Sequence, residues 1–145
     1  MPAWVDAGFE DFNKRLPDDF RLHLQALPLA KRNKNTSGAS LSEREGESML
    51  SLIRSSDYVV ALDVPGRQRT TKELAEHLES LRMAGRDLVL LIGGPDGLGK
   101  NCLERADESW SLSRLTMPHG LARLVLAEQI YRCWSLLQNH PYHRE

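Results

Sequence analysis

The chain has 145 residues, enough for one domain with a hydrophobic core but with little room for a second. Charged residues make up 27% and apolar residues 41%, which is typical of a globular protein and excludes a disordered one. The formal net charge of −1 excludes binding of nucleic acid through an overall basic field. Any RNA contact must come from a local patch, and DNA is not an expected partner.

The chain shows no sequence sign of secretion or of membrane insertion. Cys102 and Cys133 are isolated thiols without a CxxC spacing, so the sequence predicts neither a disulfide framework nor a metal site. No signal peptide is recognisable, and no apolar run approaches the roughly 20 residues that a bilayer span needs. We therefore expect a cytoplasmic protein with no membrane partner and no metal.

The first third of the chain predicts helix, strand, loop and helix. Apolar residues recur at roughly helical spacing over residues 1–15, and they alternate with polar residues over 20–24, which indicates a half-buried strand. The run KRNKNTSGAS is too polar for regular structure and is either a solvated loop or a phosphate-contacting arm. Its basic residues are Lys31, Arg32 and Lys34. Ser40 or Ser42 is the expected cap of a helix that runs to about Arg54.

The middle of the chain predicts two buried strands with a helix between them. YVVAL at 58–62 and LVLLI at 88–92 are continuous apolar runs, which favour strands covered on both faces of a parallel sheet. Thr70 and Glu73 form a capping box at the start of the intervening helix. Gly85 is placed to end that helix.

The last third predicts a short helix over residues 100–107, a short strand over 109–112 and a long helix over 119–138. Strands and helices in this order indicate an α/β fold with a mainly parallel sheet, in a single domain over residues 1–145. The final helix is apolar almost all round, whereas a terminal helix on a small domain should be amphipathic. We therefore expect it to pack against a second copy of the chain in a homodimer.

A glycine loop over residues 93–101, which contains GPDGLGKN from residue 94, leaves three interpretations open. It fits the G-x-x-x-x-G-K pattern of a phosphate-binding loop, but Asn101 replaces the hydroxyl that would bind Mg²⁺, Pro95 stiffens the loop, and the acidic strand precedes it. It is otherwise a tight turn between strand and helix. In the third interpretation, which we favour, backbone without Cβ atoms lets a flat ligand approach the carboxyl ends of the strands at Leu62 and Ile92.

Two polar segments near the C-terminus are candidate functional sites. The stretch SWSLSRLTMPHG, residues 109–120, alternates short polar residues with apolar ones and offers many backbone groups to a small polar ligand. The tail NHPYHRE, residues 139–145, concentrates two imidazoles, a phenol and a guanidinium, whereas termini are commonly featureless. Tyr142 and Arg144 are the residue types expected for base stacking and phosphate contact.

Three motifs, in order, carry a resemblance to a known family. They are LIGGPDG from residue 91, SWSLSRLTMPHGLARLVLAEQIYRCWS from residue 109 and NHPYHRE from residue 139. Together they resemble the ribosomal RNA large subunit methyltransferase H family of the SPOUT superfamily, and the similarity extends to the opening MPAWVDAGFEDFNKRLP and the KRNKN loop. The resemblance implies a homodimer with a SPOUT-type α/β knot, in which the C-terminal segment threads through a loop. Family members begin with a strand before the segment that matches Met1, so the first strand is expected to be missing.

The resemblance also implies a chemistry and a set of site residues. The chain is similar to S-adenosylmethionine-dependent enzymes that methylate N3 of a pseudouridine in the helix 69 loop of 23S rRNA, on assembled ribosomes. The competing interpretation is a catalytically inactive knot protein that binds the ribosome or RNA. The implied cofactor contacts are Leu62, Gly93, Leu112, Ser113, Arg114, Leu115, Thr116 and Met117. The implied RNA and catalytic groups are His119, Glu128, Arg132, Tyr142, His143 and Arg144.

The expected reaction is an in-line methyl transfer that needs no metal. Because the imide N3–H must lose its proton, either a base acts or a positive charge stabilises the N3 anion. We assign these roles to the tail of the partner subunit, with His143 as the base and Arg144 as the charge. Arg132, paired with Glu128 at i,i+4, would hold the tail or a phosphate.

Overall fold

The computed structural model describes residues 2–28, 31 and 37–142, so the predicted roles of Arg32, Lys34, His143 and Arg144 lie outside the described residues. The chain forms two compact units. The sheet unit comprises Gln25–Gln68 and Arg86–His119, and the helical unit comprises Met1–Leu24, Arg69–Gly85 and Gly120–Glu145. The elements in chain order are α1 (Ala3–Asn13), α2 (Gly38–Leu50), β1 (Tyr58–Arg67), α3 (Thr71–Met83), β2 (Leu88–Leu91), α4 (Lys100–Arg105), β3 (Glu108–Trp110) and α5 (His119–Leu137).

The sheet unit is built around β1, which pairs in parallel with β2 on one side and β3 on the other. This confirms the predicted α/β class with a parallel sheet. Val59, Val60 and Ala61 are fully buried, as the apolar run predicts. The same prediction is wrong for β2, where Leu88, Val89 and Leu90 are only half-buried, because β2 is an edge strand of the described sheet.

β1 is longer than the apolar run that predicts it. It continues through Pro65 and Gly66 to Arg67, with an irregularity in its pairing to β3 after Leu62. A Cβ on Gly66 would lie 2.8 Å from the carbonyl carbon of Ser109, so only glycine lets the two strands approach so closely.

The strand predicted over residues 20–24 is absent, since residues 21–28 have no regular secondary structure. The side chain of Asn13 satisfies the backbone of Leu22 instead. The N–H of Leu22 donates to Asn13 Oδ1 at 2.7 Å, and the carbonyl of Leu22 accepts from Asn13 Nδ2 at 2.8 Å. Leu22 is half-buried while Arg21 and His23 are exposed. Leu24 is also exposed, at 49%, so the alternation marks neither a strand nor a continuous buried face.

α2 begins earlier than predicted. Its N-cap is Ser37, whose hydroxyl accepts from the N–H of Ser40 at 3.1 Å, so neither Ser40 nor Ser42 is the cap. The helix ends at Leu50, four residues before the predicted end at Arg54. The N–H of Arg54 instead donates to Asp57 Oδ2 at 2.7 Å in a turn. The buried Asp57 carboxylate thus takes a donor that a longer helix would have used.

The predicted start and end of α3 are confirmed. Thr70 Oγ1 accepts from the N–H of Glu73 at 3.1 Å, and the Glu73 carboxylate accepts from the N–H of Thr70 at 2.9 Å. Gly85 follows the helix with φ +70°, a conformation that favours glycine.

The helical unit packs α1 and α3 against α5. A Cβ on Gly8 would lie 2.7 Å from Leu124 Cδ1, which shows how closely α1 approaches α5. Thr71 Oγ1 and Gln129 Oε1 are 2.9 Å apart and join α3 to α5. Among the helices in the described part of the chain, none is long and apolar enough to cross a membrane.

Candidate functional site

Three predicted ligand-binding segments meet at the carboxyl edge of the sheet. Ala61 of β1 is in register with Leu91 of β2, and Leu62 is in register with Trp110 of β3. The residues that follow β2 and β3, Gly93 and the stretch after Trp110, therefore leave the sheet at the same edge as Leu62. Open α/β sheets bind ligands at this edge.

The glycine loop closes on itself in a tight turn. The N–H of Gly97 donates to the carbonyl of Gly94 at 2.9 Å, and Gly97 has φ +75°. A Cβ on Gly93 would lie 2.4 Å from the carbonyl carbon of Gly97 and 2.6 Å from the nitrogen of Leu98. The space beside Gly93 is therefore occupied by the loop's own backbone, and glycine there is required by the turn itself.

Hydroxyl side chains in the 109–120 stretch hold its backbone. Ser111 is buried, and its Oγ donates to the carbonyl of Ser113 at 3.0 Å. Ser113 Oγ in turn accepts from the N–H of Leu115 at 3.0 Å. Of the predicted contacts here, Leu112, Ser113 and Met117 are half-buried, and Arg114, Leu115 and Thr116 are exposed. The polar pattern in the sequence thus encodes the shape of the loop.

An open groove of about 410 Å³ lies where the end of β1 faces this stretch. It is lined by Val64, Pro65, Gly66, Gln68 and Arg114. Val64 and Leu115 are 44% and 75% exposed, so this edge presents apolar side chains to solvent. Exposed apolar surface beside a groove is a common property of ligand sites.

The candidate catalytic residues Glu128, Arg132 and Tyr142 come together in the helical unit. Arg132 Nε lies 2.7 Å from Glu128 Oε1, which confirms the predicted i,i+4 pair. The hydrogen bond from Glu128 raises the pKa of Arg132. The guanidinium carbon of Arg132 lies 5.0 Å from the centre of the Tyr142 ring, within cation–π range.

Tyr142 is anchored in an aromatic cluster. Its ring centre lies 4.7 Å from that of Tyr131 and 6.5 Å from that of Phe12, both edge-on. Burial raises the pKa of Tyr142 and keeps the phenol neutral. In the sequence, Phe12 and Tyr131 are apolar helix positions, and nothing in their spacing distinguishes a residue that contacts the tail from a core residue. His119, the remaining described candidate, is the exposed first residue of α5.

Comparison with known proteins identifies the class. A family model described as "Predicted SPOUT methyltransferase" matches residues 1–143. Ribosomal RNA large subunit methyltransferase H of Marinomonas sp. (strain MWYL1) is 51% identical over 144 residues, covering 99% of this chain and 93% of that protein. The protein of the same name from Hahella chejuensis (strain KCTC 2396) is 50% identical over 145 residues, covering 100% and 93%. The chain therefore belongs to the ribosomal RNA large subunit methyltransferase H family of SPOUT methyltransferases, which confirms the resemblance.

Proposed function

We propose that this protein is a cytoplasmic homodimeric enzyme that methylates N3 of a pseudouridine in the helix 69 loop of 23S rRNA, on assembled ribosomes, with S-adenosylmethionine as methyl donor. The observation that carries this proposal is the convergence of Leu62, Gly93 and the 109–120 stretch at one sheet edge, in a chain about half identical to two ribosomal RNA large subunit methyltransferases H. The chain then forms one SPOUT domain with a C-terminal knot.

The carboxyl edge of the sheet fits a flat, polar donor. At Gly97 nothing lies within 4 Å of the Cβ position, so the loop has open space there, and the exposed Leu115 and Val64 offer apolar contact to an adenine ring. When bound, S-adenosylmethionine supplies a methyl group on a sulfonium centre. Leu62, the glycine loop and residues 112–117 would hold it, chiefly through backbone groups.

The tail of the partner subunit supplies the acid–base groups. Tyr142 is held by Phe12, Tyr131 and Arg132. His143 takes the N3 proton, and Arg144 stabilises the negative charge on the base. Because Arg132 is engaged by Glu128 and Tyr142, its role is to hold the tail.

The dimer contact is the face that carries Trp4 and Leu121. Trp4 on α1 is 59% exposed and Leu121 on α5 is 36% exposed. Asp6 and Arg123, 4.0 Å apart, join the same two helices. A second copy covering this face would remove both apolar side chains from water, in agreement with the apolar character of α5.

Two measurements test the proposal. Calorimetry should show binding of S-adenosylmethionine and of its demethylated product to the purified protein. Mass spectrometry of rRNA from a deletion strain should show one missing methyl group, mapped to a single helix 69 nucleotide and restored by incubating those ribosomes with protein and donor. If the protein bound ribosomes but not the donor, the inactive RNA-binding alternative would hold. If the protein bound ATP in the presence of Mg²⁺ and Lys100→Ala abolished that binding, the protein would be an NTPase.

A further inference from the structure

The end of the glycine loop is bonded to α2 through the side chain of Asn101, the second residue of α4. Asn101 Nδ2 donates to the carbonyl of Glu43 at 3.1 Å, and its backbone N–H donates to Glu43 Oε1 at 3.4 Å. Asn101 Oδ1 accepts from the N–H of Cys102 at 2.9 Å. One side-chain amide thus joins α4 to α2, through two residues that are 58 positions apart in sequence.

Two glycines make room for this amide. A Cβ on Gly46 of α2 would lie 2.4 Å from Asn101 Oδ1, and a Cβ on Gly99 would lie 2.7 Å from the same oxygen. The Gly99 position is also 2.7 Å from the carbonyl oxygen of Ser42. Any side chain at either glycine would displace the Asn101 amide or the backbone of α2. In the sequence, Gly46 merely weakens a helix and Asn101 merely departs from a phosphate-binding motif, whereas in the fold they form one contact.

The contact is backed by apolar packing and by a second contact further along the loop. Cys102 is fully buried in a cluster with Val59 and Leu91, against which Leu98 of the loop packs. A Cβ on Gly38, at the start of α2, would lie 3.0 Å from Asp96 Oδ1. α2 therefore touches the glycine loop near its middle and again at its end.

We propose that Asn101 is a positioning residue that locks the glycine loop against α2 and thereby sets the affinity of the sheet edge for the methyl donor. This inference rests on the proposed function, because it takes the glycine loop as part of the donor site. Asn101 acts through the loop: its amide is used by Glu43 and Cys102. Losing it should loosen the loop and weaken donor binding, while the methyl-transfer step at saturating donor is preserved.

The first test compares Asn101→Ala with Glu104→Gln, a control on the exposed side of the same helix. Hydrogen exchange of the donor-free protein should be faster over residues 93–99 in Asn101→Ala only. Its Kd for S-adenosylmethionine should rise about tenfold, which corresponds to about 1.4 kcal/mol and to roughly the net value of one hydrogen bond. The kcat at saturating donor should stay within about twofold. The inference would be overturned if loop exchange in Asn101→Ala were unchanged. It would also be overturned if the wild type bound the donor and Asn101→Ala bound it with the same Kd.

The second test measures coupling. Gly46→Ala should raise the Kd by displacing the Asn101 amide, but should add little in the Asn101→Ala background, where that amide is gone. Fully additive effects would contradict the contact. If Asn101→Ala does not fold, the nearly isosteric Asn101→Asp, which loses the donor to Glu43, is scored by the same exchange measurement. A wild type that binds no donor would refute the proposed function, and loop exchange would still decide the role of Asn101.

Discussion

The sheet unit and the helical unit differ in which part of the polypeptide forms the candidate site. In the sheet unit, the side chains of Ser111, Ser113 and Asn101 form hydrogen bonds with the protein's own backbone. In the helical unit, Arg132 and Tyr142 interact through their side chains. A backbone site should be sensitive to added Cβ atoms, and a side-chain site should be sensitive to truncation.

The largest expected effect comes from truncating the side-chain site. Arg144→Ala should lower kcat about 10²–10³-fold, because the proposed mechanism uses its charge to stabilise the N3 anion. The Kd for S-adenosylmethionine should not change, since the proposed donor site is formed by residues of the sheet unit. Methyl incorporation into ribosomes and calorimetry measure the two quantities, with Arg82→Ala, an exposed arginine on α3, as the control. Normal methylation by Arg144→Ala would remove the tail from the mechanism.

A side chain in the glycine loop should produce the next largest effect. Gly93→Val places atoms where the backbone of Gly97 and Leu98 lies, so the turn must open, at a cost of about 1–3 kcal/mol in the free energy of unfolding. Donor binding should fall below detection in calorimetry.

The matched control is Gly85→Ala in the helical unit. Gly85 has φ +70° with nothing within 4 Å of the Cβ position, so the substitution costs about 1 kcal/mol of backbone strain and leaves donor affinity unchanged. Undiminished affinity in Gly93→Val would place the donor elsewhere.

The pH dependence of stability should be traceable to the buried Cys133 thiol of α5. Burial, assisted by Glu128, raises the pKa of Cys133 from 9.0 to about 12. The folded state therefore keeps the proton that the unfolded chain releases above about pH 9, and the resulting stability is lost as the pH rises towards 12. At pH 10 the loss should be about 1.4 kcal/mol relative to pH 8. Urea unfolding at both pH values measures it.

Cys133→Ala should show a smaller loss between these pH values than the wild type. The variant keeps the part of the stability loss that is due to Cys102, whose pKa is also raised by burial. An equal loss in both proteins would assign the effect to other groups.

The smallest effects compare one helix cap from each unit. Thr70→Ala and Ser37→Ala should each lower the free energy of unfolding by about 1 kcal/mol, since each removes a side-chain acceptor at a helix start. Only Ser37→Ala should also raise the donor Kd, because α2 begins against Asp96 of the glycine loop. Thermal melts and calorimetry check both. Equal donor affinities would mean that the loop does not depend on the start of α2.

Sequence patterns predicted the features that adjacent residues determine. The capping box at Thr70, the αL glycine at Gly85 and the Glu128–Arg132 pair are all decided within four residues of chain. The strand expected over residues 20–24 is absent because alternation of apolar and polar residues does not specify which groups satisfy the backbone. There, Asn13 rather than a neighbouring strand does so.

By itself, the sequence determined the α/β class, the family and the segments that carry the candidate chemistry, because hydrophobic period, caps and motifs are local properties. Only the tertiary structure decided that β2 lies at an edge, that the hydroxyls of the 109–120 stretch hold its backbone, and that Asn101, Gly46 and Gly99 form one contact. These depend on groups brought together from distant parts of the chain. These features depend on the space that neighbouring backbones leave, and the periodicity of a single segment does not encode that space.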